Sequence, residues 1–212
     1  MDNLWIFALG LLAQGLFSAR MLLQWILSEK AHKVVNPTLF WIISLAASLL
    51  FLYYGWLRND FALMLGQVIG YYVYIWNLGK KGVWGRIGKP LRLAILVVLI
   101  LIPVAAFSRM VLDWPAVSAT LFRNDAIPHW LLVLGTTGQI VFSLRFLYQA
   151  LYSARRNESL LPPGFWIISL TGASLILIYG ILRHDPVVIL AQSFGLITYT
   201  RNLMLWKQSE RA

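Results

Sequence analysis

Seven apolar segments of 18 to 24 residues follow one another along this chain, and they restrict the folds that it can adopt. A helix needs about 20 mostly apolar residues to cross a lipid bilayer. We therefore predict an all-α integral membrane protein with seven transmembrane helices. The segments are Leu4–Leu27, Leu39–Leu57, Phe61–Leu78, Leu91–Leu112, Trp130–Tyr152, Phe165–Leu182 and Val187–Leu205.

Composition excludes several other classes of protein. Hydrophobic residues make up 59% of the chain and charged residues only 12%, whereas a soluble domain carries about 25% charged residues. There is no cysteine, and the three histidines are far apart, so we expect no metal site and no cofactor. No basic stripe is interleaved with exposed aromatic residues, so we expect no nucleic-acid partner.

The positive charges indicate an orientation in the membrane. With the N-terminus outside, the inner loops and the C-terminal tail hold 12 of the 18 lysines and arginines, and the outer loops hold four. The remaining two, Arg20 and Arg145, lie within predicted spans. The positive-inside rule therefore predicts an N-terminus outside and a C-terminus on the cytoplasmic side.

The chain matches itself without a gap when it is shifted by 125 residues. Residues 5–78 and 130–203 are identical at 30 of 74 positions, and many of the identical residues are polar. Three spans lie in each copy, and Leu91–Leu112 has no counterpart. We predict a 3+1+3 parallel repeat about a pseudo-two-fold axis along the membrane normal. The predicted division is a first three-helix repeat (1–82), a linker helix with its outer loop (83–127) and a second three-helix repeat (128–212).

Arg20 and Arg145 are the charged residues inside the repeated spans. An ionisable residue within a span is costly and marks a functional site by default. Both arginines lie about 10 Å from the predicted inner ends of their helices, a depth from which the side chain can still reach the headgroups. Two interpretations follow: a topology anchor, or a cavity site whose planar fork of donors holds a phosphate.

The third span of each repeat carries a polar stripe. Its amide and tyrosine residues fall within an arc of about 80° on a helix. They either line a cavity, where they bind substrate hydroxyl groups, or form hydrogen bonds between helices. The stripe residues are Gln67, Tyr74 and Asn77, with Gln192, Tyr199 and Asn202 in the second copy.

Further candidates lie in the first two spans of each copy. The first spans carry Gln14 and Gln24, repeated as Gln139 and Gln149, which we include among the substrate-binding candidates. Pro37 and Pro162 precede the second spans. A proline at that position suits a simple helix start or a hinge for gating, and both interpretations stay open.

These motifs resemble a known group of membrane proteins. The 3+1+3 layout, with a proline before the second span of each copy, resembles the SWEET and PQ-loop superfamily. The finer pattern is similar to the lipid A biosynthesis N-terminal domain family, in two tandem copies: Gln14–Arg20, Asn36-Pro37 with Phe40-Trp41, and Gly66-Gln67 through Asn77-Leu78. The second copy repeats Gln139–Arg145, Phe165-Trp166 and Asn202-Leu203. The PQ dipeptide itself is absent, because Pro37 precedes Thr38 and Pro162 precedes Pro163.

The resemblance implies a role in lipopolysaccharide or envelope glycan assembly at the bacterial inner membrane. We expect a translocator, or flippase, of an anionic lipid-linked sugar or a polyprenyl-phosphate carrier. The alternatives are a SWEET-like transporter of small sugars and a non-transporting accessory subunit of a membrane glycosyltransferase, which would then be a protein partner. We expect no enzymatic activity, because the 212 residues hold no nucleotide-sugar-binding α/β domain.

Overall fold

The computed structural model describes residues 4–57, 61–112, 128–184 and 186–210. Within these residues the chain forms seven α-helices and one short 3₁₀ helix, without a β-strand. The 3₁₀ helix, Trp84–Arg86, joins α3 to α4. The helices are α1 (Leu4–Ala31), α2 (Thr38–Leu57), α3 (Phe61–Lys80), α4 (Lys89–Leu112), α5 (His129–Arg156), α6 (Pro163–Leu182) and α7 (Pro186–Ser209). The predicted all-α class is confirmed.

Five of these helices are long and apolar enough to cross a membrane, judged on the described residues alone. They are α1, α2, α5 and α6 with the Lys89–Ser108 part of α4. The described residues thus contain seven helices, of which five have the length and composition of a span, and the crossing of the membrane by all seven stays a prediction. These features are compatible with a membrane protein.

The helix bounds recur at the spacing of the sequence repeat. The first and last residues of α1 and α5 differ by 125, and so do those of α2 and α6. The first residues of α3 and α7 differ by the same number. All three helix pairs therefore begin at matching positions, and the first two pairs also end at matching positions.

The first helix of each copy also ends in the same way. His32 follows α1 and Asn157 follows α5, and both adopt the left-handed backbone conformation, with φ of 51° and 54°. Asn157 donates its N–H to the carbonyl of Ala154, and His32 donates to that of Glu29. A left-handed residue after the last turn is a common helix stop. His32 therefore lies at the C-terminal end of α1, where it takes part in the helix stop.

The chain divides into two compact units whose boundary falls inside α1. Unit 1 comprises Met1–Arg20 and Thr38–Asn124, and unit 2 comprises Met21–Pro37 and Asp125–Ala212. The division at 82 and 127 drawn from the sequence repeat stays a prediction. The outer loop of that predicted linker, residues 113–127, lies outside the described residues.

Small residues bring the helices of each unit close together. In unit 1 a Cβ at Gly10 would lie 2.8 Å from the ring of Tyr54, so α1 and α2 approach closely there. In unit 2 the equivalent Gly135 would meet Tyr179 at the same distance. At Gly172 of α6 an added Cβ would lie 2.6 Å from the backbone nitrogen of Phe142 in α5. Such contacts are typical of helix pairs in membranes, where small residues let two backbones approach.

In unit 1, α4 is fixed to α3 by two tyrosine hydroxyls. Pro103 lies inside α4 and has no N–H, so the carbonyl of Leu99 loses its helix partner. The hydroxyl of Tyr71 donates to that carbonyl at 2.7 Å, and Tyr72 donates to the carbonyl of Ile100 at 3.0 Å. Helix-breaking prolines are tolerated in membranes where a neighbour satisfies the released backbone group.

Replacing Tyr71 with phenylalanine tests this role of the hydroxyl. Tyr71→Phe leaves the Leu99 carbonyl without its side-chain donor, and we expect a loss of about 1–3 kcal/mol in the free energy of unfolding. The measurement is unfolding in detergent micelles followed by far-UV circular dichroism. In a Pro103→Ala background the new N–H of residue 103 reaches Leu99, so the same substitution should cost much less. Equal costs in the two backgrounds would contradict this account.

Candidate functional site

Arg20 is a buried cation held against aromatic rings in unit 1. Its side chain is 6% exposed, and its guanidinium carbon lies 4.8 to 5.3 Å from the ring centres of Phe17, Phe40 and Tyr74. Nη1 donates to Ser44 Oγ at 2.7 Å and to the Tyr74 hydroxyl at 3.1 Å. The structure therefore brings together two residues that the sequence predicted for one site, Arg20 and Tyr74.

Unit 2 contains the equivalent arrangement around Arg145. This side chain is 7% exposed, and its guanidinium carbon lies 3.4 Å from the ring centre of Phe142 and 5.9 Å from that of Phe165. Nη1 donates to the Tyr199 hydroxyl at 3.4 Å. Each arginine site therefore contains one tyrosine hydroxyl and two phenylalanine rings, and these residues lie at repeat-equivalent positions in the two copies.

Neither hydroxyl partner of Arg20 carries a charge. Among the described residues no carboxylate lies within ion-pair distance of Arg20, and its Nε is buried without a hydrogen-bond partner. Removing an ion from water costs several kcal/mol, and a desolvated cation–π contact returns about 2 kcal/mol. The rings therefore lower the cost of burial but leave the full positive charge, so an anion brought to this site would be strongly attracted.

Two buried tryptophans lie beside these sites. Trp41 and Trp166 are fully buried, and each ring packs on the tyrosine of its own unit, with centroids 6.0 and 6.1 Å apart. Their indole Nε1 atoms have no hydrogen-bond partner within the described protein. Buried indole N–H groups usually find one, so each unit keeps an unused donor close to its tyrosine.

The amides of Gln24 and Asn202 form a reciprocal pair in unit 2. Gln24 Nε2 donates to Asn202 Oδ1 at 2.7 Å, and Asn202 Nδ2 donates back to Gln24 Oε1 at 3.2 Å. Both side chains are fully buried. The pair links α1 to α7, which the sequence repeat assigns to different copies. In unit 1, Asn77 is also fully buried and donates to the carbonyl of Val73 at 2.8 Å.

Gln24 and Gln149 also hold the loop that leads into the following helix. Gln24 donates to Ser28 Oγ, which accepts the backbone N–H of Val35 at 3.1 Å. Gln149 donates to Ser153 Oγ and to the carbonyl of Leu160 at 2.8 Å. These amides therefore have structural partners, and their predicted role in substrate binding stays a prediction.

The remaining candidates are spread over different environments. Gln14 and Gln139 lie on exposed faces of α1 and α5. Gln67 is half-buried and accepts a hydrogen bond from Ser48 Oγ at 3.3 Å, and Gln192 is half-buried on α7. The structure thus does not gather all the stripe residues with the arginines.

Both candidate hinge prolines stand at helix starts. Pro37 immediately precedes α2, and Pro162 precedes α6 in an extended conformation. Pro163 then occupies the first turn of α6, where a proline lacks only an N–H that the helix does not use. A hinge role for Pro37 and Pro162 stays a prediction.

Sequence reasoning missed an ion pair in unit 2. Arg201 Nε donates to Glu29 Oε1 at 2.5 Å, and Arg201 Nη2 donates to Oε2 at 2.8 Å. Trp25 Nε1 also donates to Glu29, at 2.9 Å. The repeat could not reveal this pair, because the equivalent positions hold Ala154 and Trp76. The rings around the arginines were detectable, since Phe17 and Phe40 recur as Phe142 and Phe165.

The fold and the paired sites define an all-helical, membrane-compatible chain built from two tandem copies of one unit of sequence. The chain belongs to the Lipid A Biosynthesis N-terminal domain family, whose profile matches residues 9–79 and 134–204. The two matches differ by 125 residues, the offset found in the sequence itself. The predicted family and its tandem duplication are confirmed. Membership of a lipid A biosynthesis family points to a bacterial membrane.

Curated relatives carry the name lipid-A-disaccharide synthase. The chain is 30% identical to the protein of Chlamydia caviae and 31% identical to that of Chlamydia pneumoniae, over 96% and 98% of its own length. It is 30% identical to the protein of Chlamydia trachomatis serovar D over 96% of its length. It spans about a third of the length of these relatives, 34% in each case. No solved structure matches the chain.

This comparison corrects one expectation. The sequence analysis predicted no enzymatic activity, and that prediction is wrong, because relatives that match nearly the whole chain are named as an enzyme. The prediction considered only the chemistry of the 212 residues. It gave no weight to the longer proteins in which related sequences occur.

The Gln24–Asn202 pair yields a stability prediction. Gln24→Leu leaves Asn202 Oδ1 buried without its donor, although Asn202 Nδ2 still donates to the carbonyl of Thr198, and we expect a loss of about 1–3 kcal/mol in the free energy of unfolding. The double variant Gln24→Leu, Asn202→Leu should recover part of that loss, because no amide then remains unpaired at the contact.

The matched control is Gln14→Leu, the same substitution at an exposed position of the same helix. It should change the free energy of unfolding by less than about 0.5 kcal/mol. Detergent-micelle unfolding followed by circular dichroism measures all three variants. A Gln14→Leu cost as large as that of Gln24→Leu would overturn the interpretation.

Proposed function

We propose that this chain binds an anionic lipid-linked sugar of lipid A or envelope glycan assembly and moves its headgroup across the bacterial inner membrane. The ligand class is a sugar joined to a polyprenyl-phosphate carrier. Arg20 and Arg145 are the proposed phosphate sites. The observation that carries the proposal is the buried charge of Arg20, which rests among aromatic rings and hydroxyls with no carboxylate beside it.

The chemistry of these sites suits a phosphate. Arginine presents a planar set of donors that matches phosphate oxygens. The unpartnered N–H groups of Arg20, Trp41 and Trp166 are all donors, and phosphate and sugar oxygens are acceptors. A neutral sugar would leave the charge of Arg20 uncompensated, so a SWEET-like transporter of small sugars is the weaker proposal.

The proposed transport path follows from the repeat. Seven spans in a 3+1+3 parallel arrangement, similar to SWEET and PQ-loop proteins, would place one arginine site in each three-helix repeat. The N-terminus would be periplasmic and the C-terminus cytoplasmic, as the loop charges favour. Rocking of one repeat against the other, with Pro37 and Pro162 as hinges, would then expose the headgroup to each side in turn.

A second candidate function is supported by the comparisons. Related sequences make up about a third of proteins named lipid-A-disaccharide synthase. A chain of this family would then hold a lipid substrate in the membrane for a glycosyltransferase, as its membrane part or as its partner. On this proposal the arginine sites bind the lipid phosphate without moving it between leaflets.

A vesicle assay tests the first proposal. The purified chain is reconstituted with a fluorescent polyprenyl-phosphate sugar, and the access of an external quencher reports on movement between leaflets. We expect exchange faster than in empty vesicles. Arg20→Gln and Arg145→Gln should each slow it by about ten- to a hundredfold, since a hydrogen bond to a charged group contributes about 1.5–3 kcal/mol.

The matched control is Arg183→Gln, the same substitution at an exposed arginine after α6. It should exchange lipid at the wild-type rate when equal amounts of folded protein are incorporated. Lipid exchange no faster than in empty vesicles would contradict the translocator proposal for that lipid. Binding of the lipid without exchange would favour the second candidate function.

A further inference from the structure

An apolar groove of about 570 Å³ runs along the surface of unit 1 between α3 and α4. Val68 and Tyr72 of α3 line one side, and Pro103, Val104 and Phe107 of α4 line the other. The groove continues to Leu112 at the end of α4. Its volume is in the range of small-molecule sites, and its walls are hydrocarbon and aromatic rings.

The polar groups near this groove are largely satisfied within the protein. The Tyr72 hydroxyl is occupied by the carbonyl of Ile100, and Ser108 Oγ donates to the carbonyl of Ala105. Val104 is 56% exposed, and the Lys89–Ser108 part of α4 has the composition of a membrane span. In a membrane the groove would face lipid, so a hydrocarbon chain is the occupant that fits it.

Beyond the far end of α3, the segment that leads into α4 is strongly basic. It carries five lysines and arginines, and the sequence has no acidic residue between positions 61 and 112. Such a cluster next to a membrane attracts anionic lipid headgroups, with about 1 kcal/mol per basic residue near the surface. The five residues are Lys80, Lys81, Arg86, Lys89 and Arg92.

Helix geometry gives the distance between the basic segment and the groove. At 1.5 Å per residue, Tyr72 lies about 12 Å from Lys80 along α3, and Pro103 lies about 16 Å from Arg92 along α4. Half of the hydrocarbon core is about 15 Å thick. The groove therefore begins near the level where an ordinary acyl chain anchored at the basic segment would end, and it continues about 14 Å farther to Leu112.

We propose that a long-chain anionic lipid, a polyprenyl phosphate, binds along α3 and α4 of unit 1. Its phosphate lies at the basic segment, and the distal part of its chain fills the groove between Tyr72 and Leu112. The choice of a polyprenyl phosphate rests on the proposed function, while the site itself is distinct from the arginine sites. Length selects the ligand, because the groove begins where an ordinary acyl chain stops.

Photolabelling at equilibrium tests this site. The full chain in nanodiscs of neutral phosphatidylcholine is labelled with a polyprenyl phosphate that carries a diazirine near the far end of its chain. Mass spectrometry locates the label, and we expect it on α3 and α4 around Val68 and Val104. Unlabelled polyprenyl phosphate should compete, whereas phosphatidylglycerol with ordinary acyl chains should compete at least about tenfold more weakly.

Two tryptophan substitutions on α4 provide a matched comparison. Val104→Trp fills the groove and should lower labelling at least about tenfold. Val98→Trp lies 240° around the same helix, at a position with the same exposure within 1% (57% against 56%), and it should label like the wild type. Lys89→Glu with Arg92→Glu should weaken labelling by the phosphate probe but not by a neutral polyprenol probe.

Equal labelling of the two tryptophan variants would contradict the proposed site. Equal competition by phosphatidylglycerol would also contradict it, because the groove would then bind an ordinary membrane lipid. The competition experiment uses the wild-type chain, so it decides the matter even if a variant fails to fold. Labelling needs no movement of lipid between leaflets. Groove labelling without leaflet exchange would therefore contradict the translocator proposal and support this site. Leaflet exchange without groove labelling would support the translocator proposal and contradict this site.

Discussion

The structure depends on one constraint: a buried polar group has no water to bond, so the protein itself must supply a partner. The Leu99 carbonyl released by Pro103 receives the Tyr71 hydroxyl. The loop after α1 is held by Ser28, and the loop after α5 by Ser153. Arg20 Nε and the indole Nε1 of Trp41 are exceptions, since both are buried without a hydrogen-bond partner within the described protein.

The sequence repeat predicted much of this fold, because a polar residue at the same place in two copies is not explained by apolar composition. Arg20 and Tyr74 were both selected in this way, and the structure joins them by a hydrogen bond. The first residues of all three helix pairs also recur at the predicted offset. The enzyme prediction failed for a different reason, since it considered only the chemistry of this chain.

Other features could not be predicted from sequence, because they depend on which helices become neighbours. Gln24 and Asn202 are 178 positions apart. Periodicity places each residue on a face of its own helix, but it does not specify which other helix packs against that face. The same holds for Tyr71, since its partner is a backbone carbonyl in another helix, which is available because a proline lies one turn farther along that helix. The repeat predicted that Gln14 and Gln139 have equivalent environments, and both side chains are indeed exposed. The repeat carried no information on whether such a pair is buried or exposed.

The two copies agree around the arginines and differ where helices are joined. Phe17, Phe40, Ser44 and Tyr74 all recur at the equivalent positions of the second copy. By contrast, Glu29 and Arg201 pair in unit 2, whereas their equivalents are Ala154 and Trp76.

The same contrast holds for the helix between the copies. Tyr71 and Tyr72 fix α4 in unit 1, but leucine and isoleucine occupy those positions in the second copy, at Leu196 and Ile197. The hydroxyls that satisfy the backbone of α4 are therefore present in one copy alone. The repeat thus keeps the surroundings of the arginines alike in both copies, while the contacts that hold neighbouring helices together differ between them.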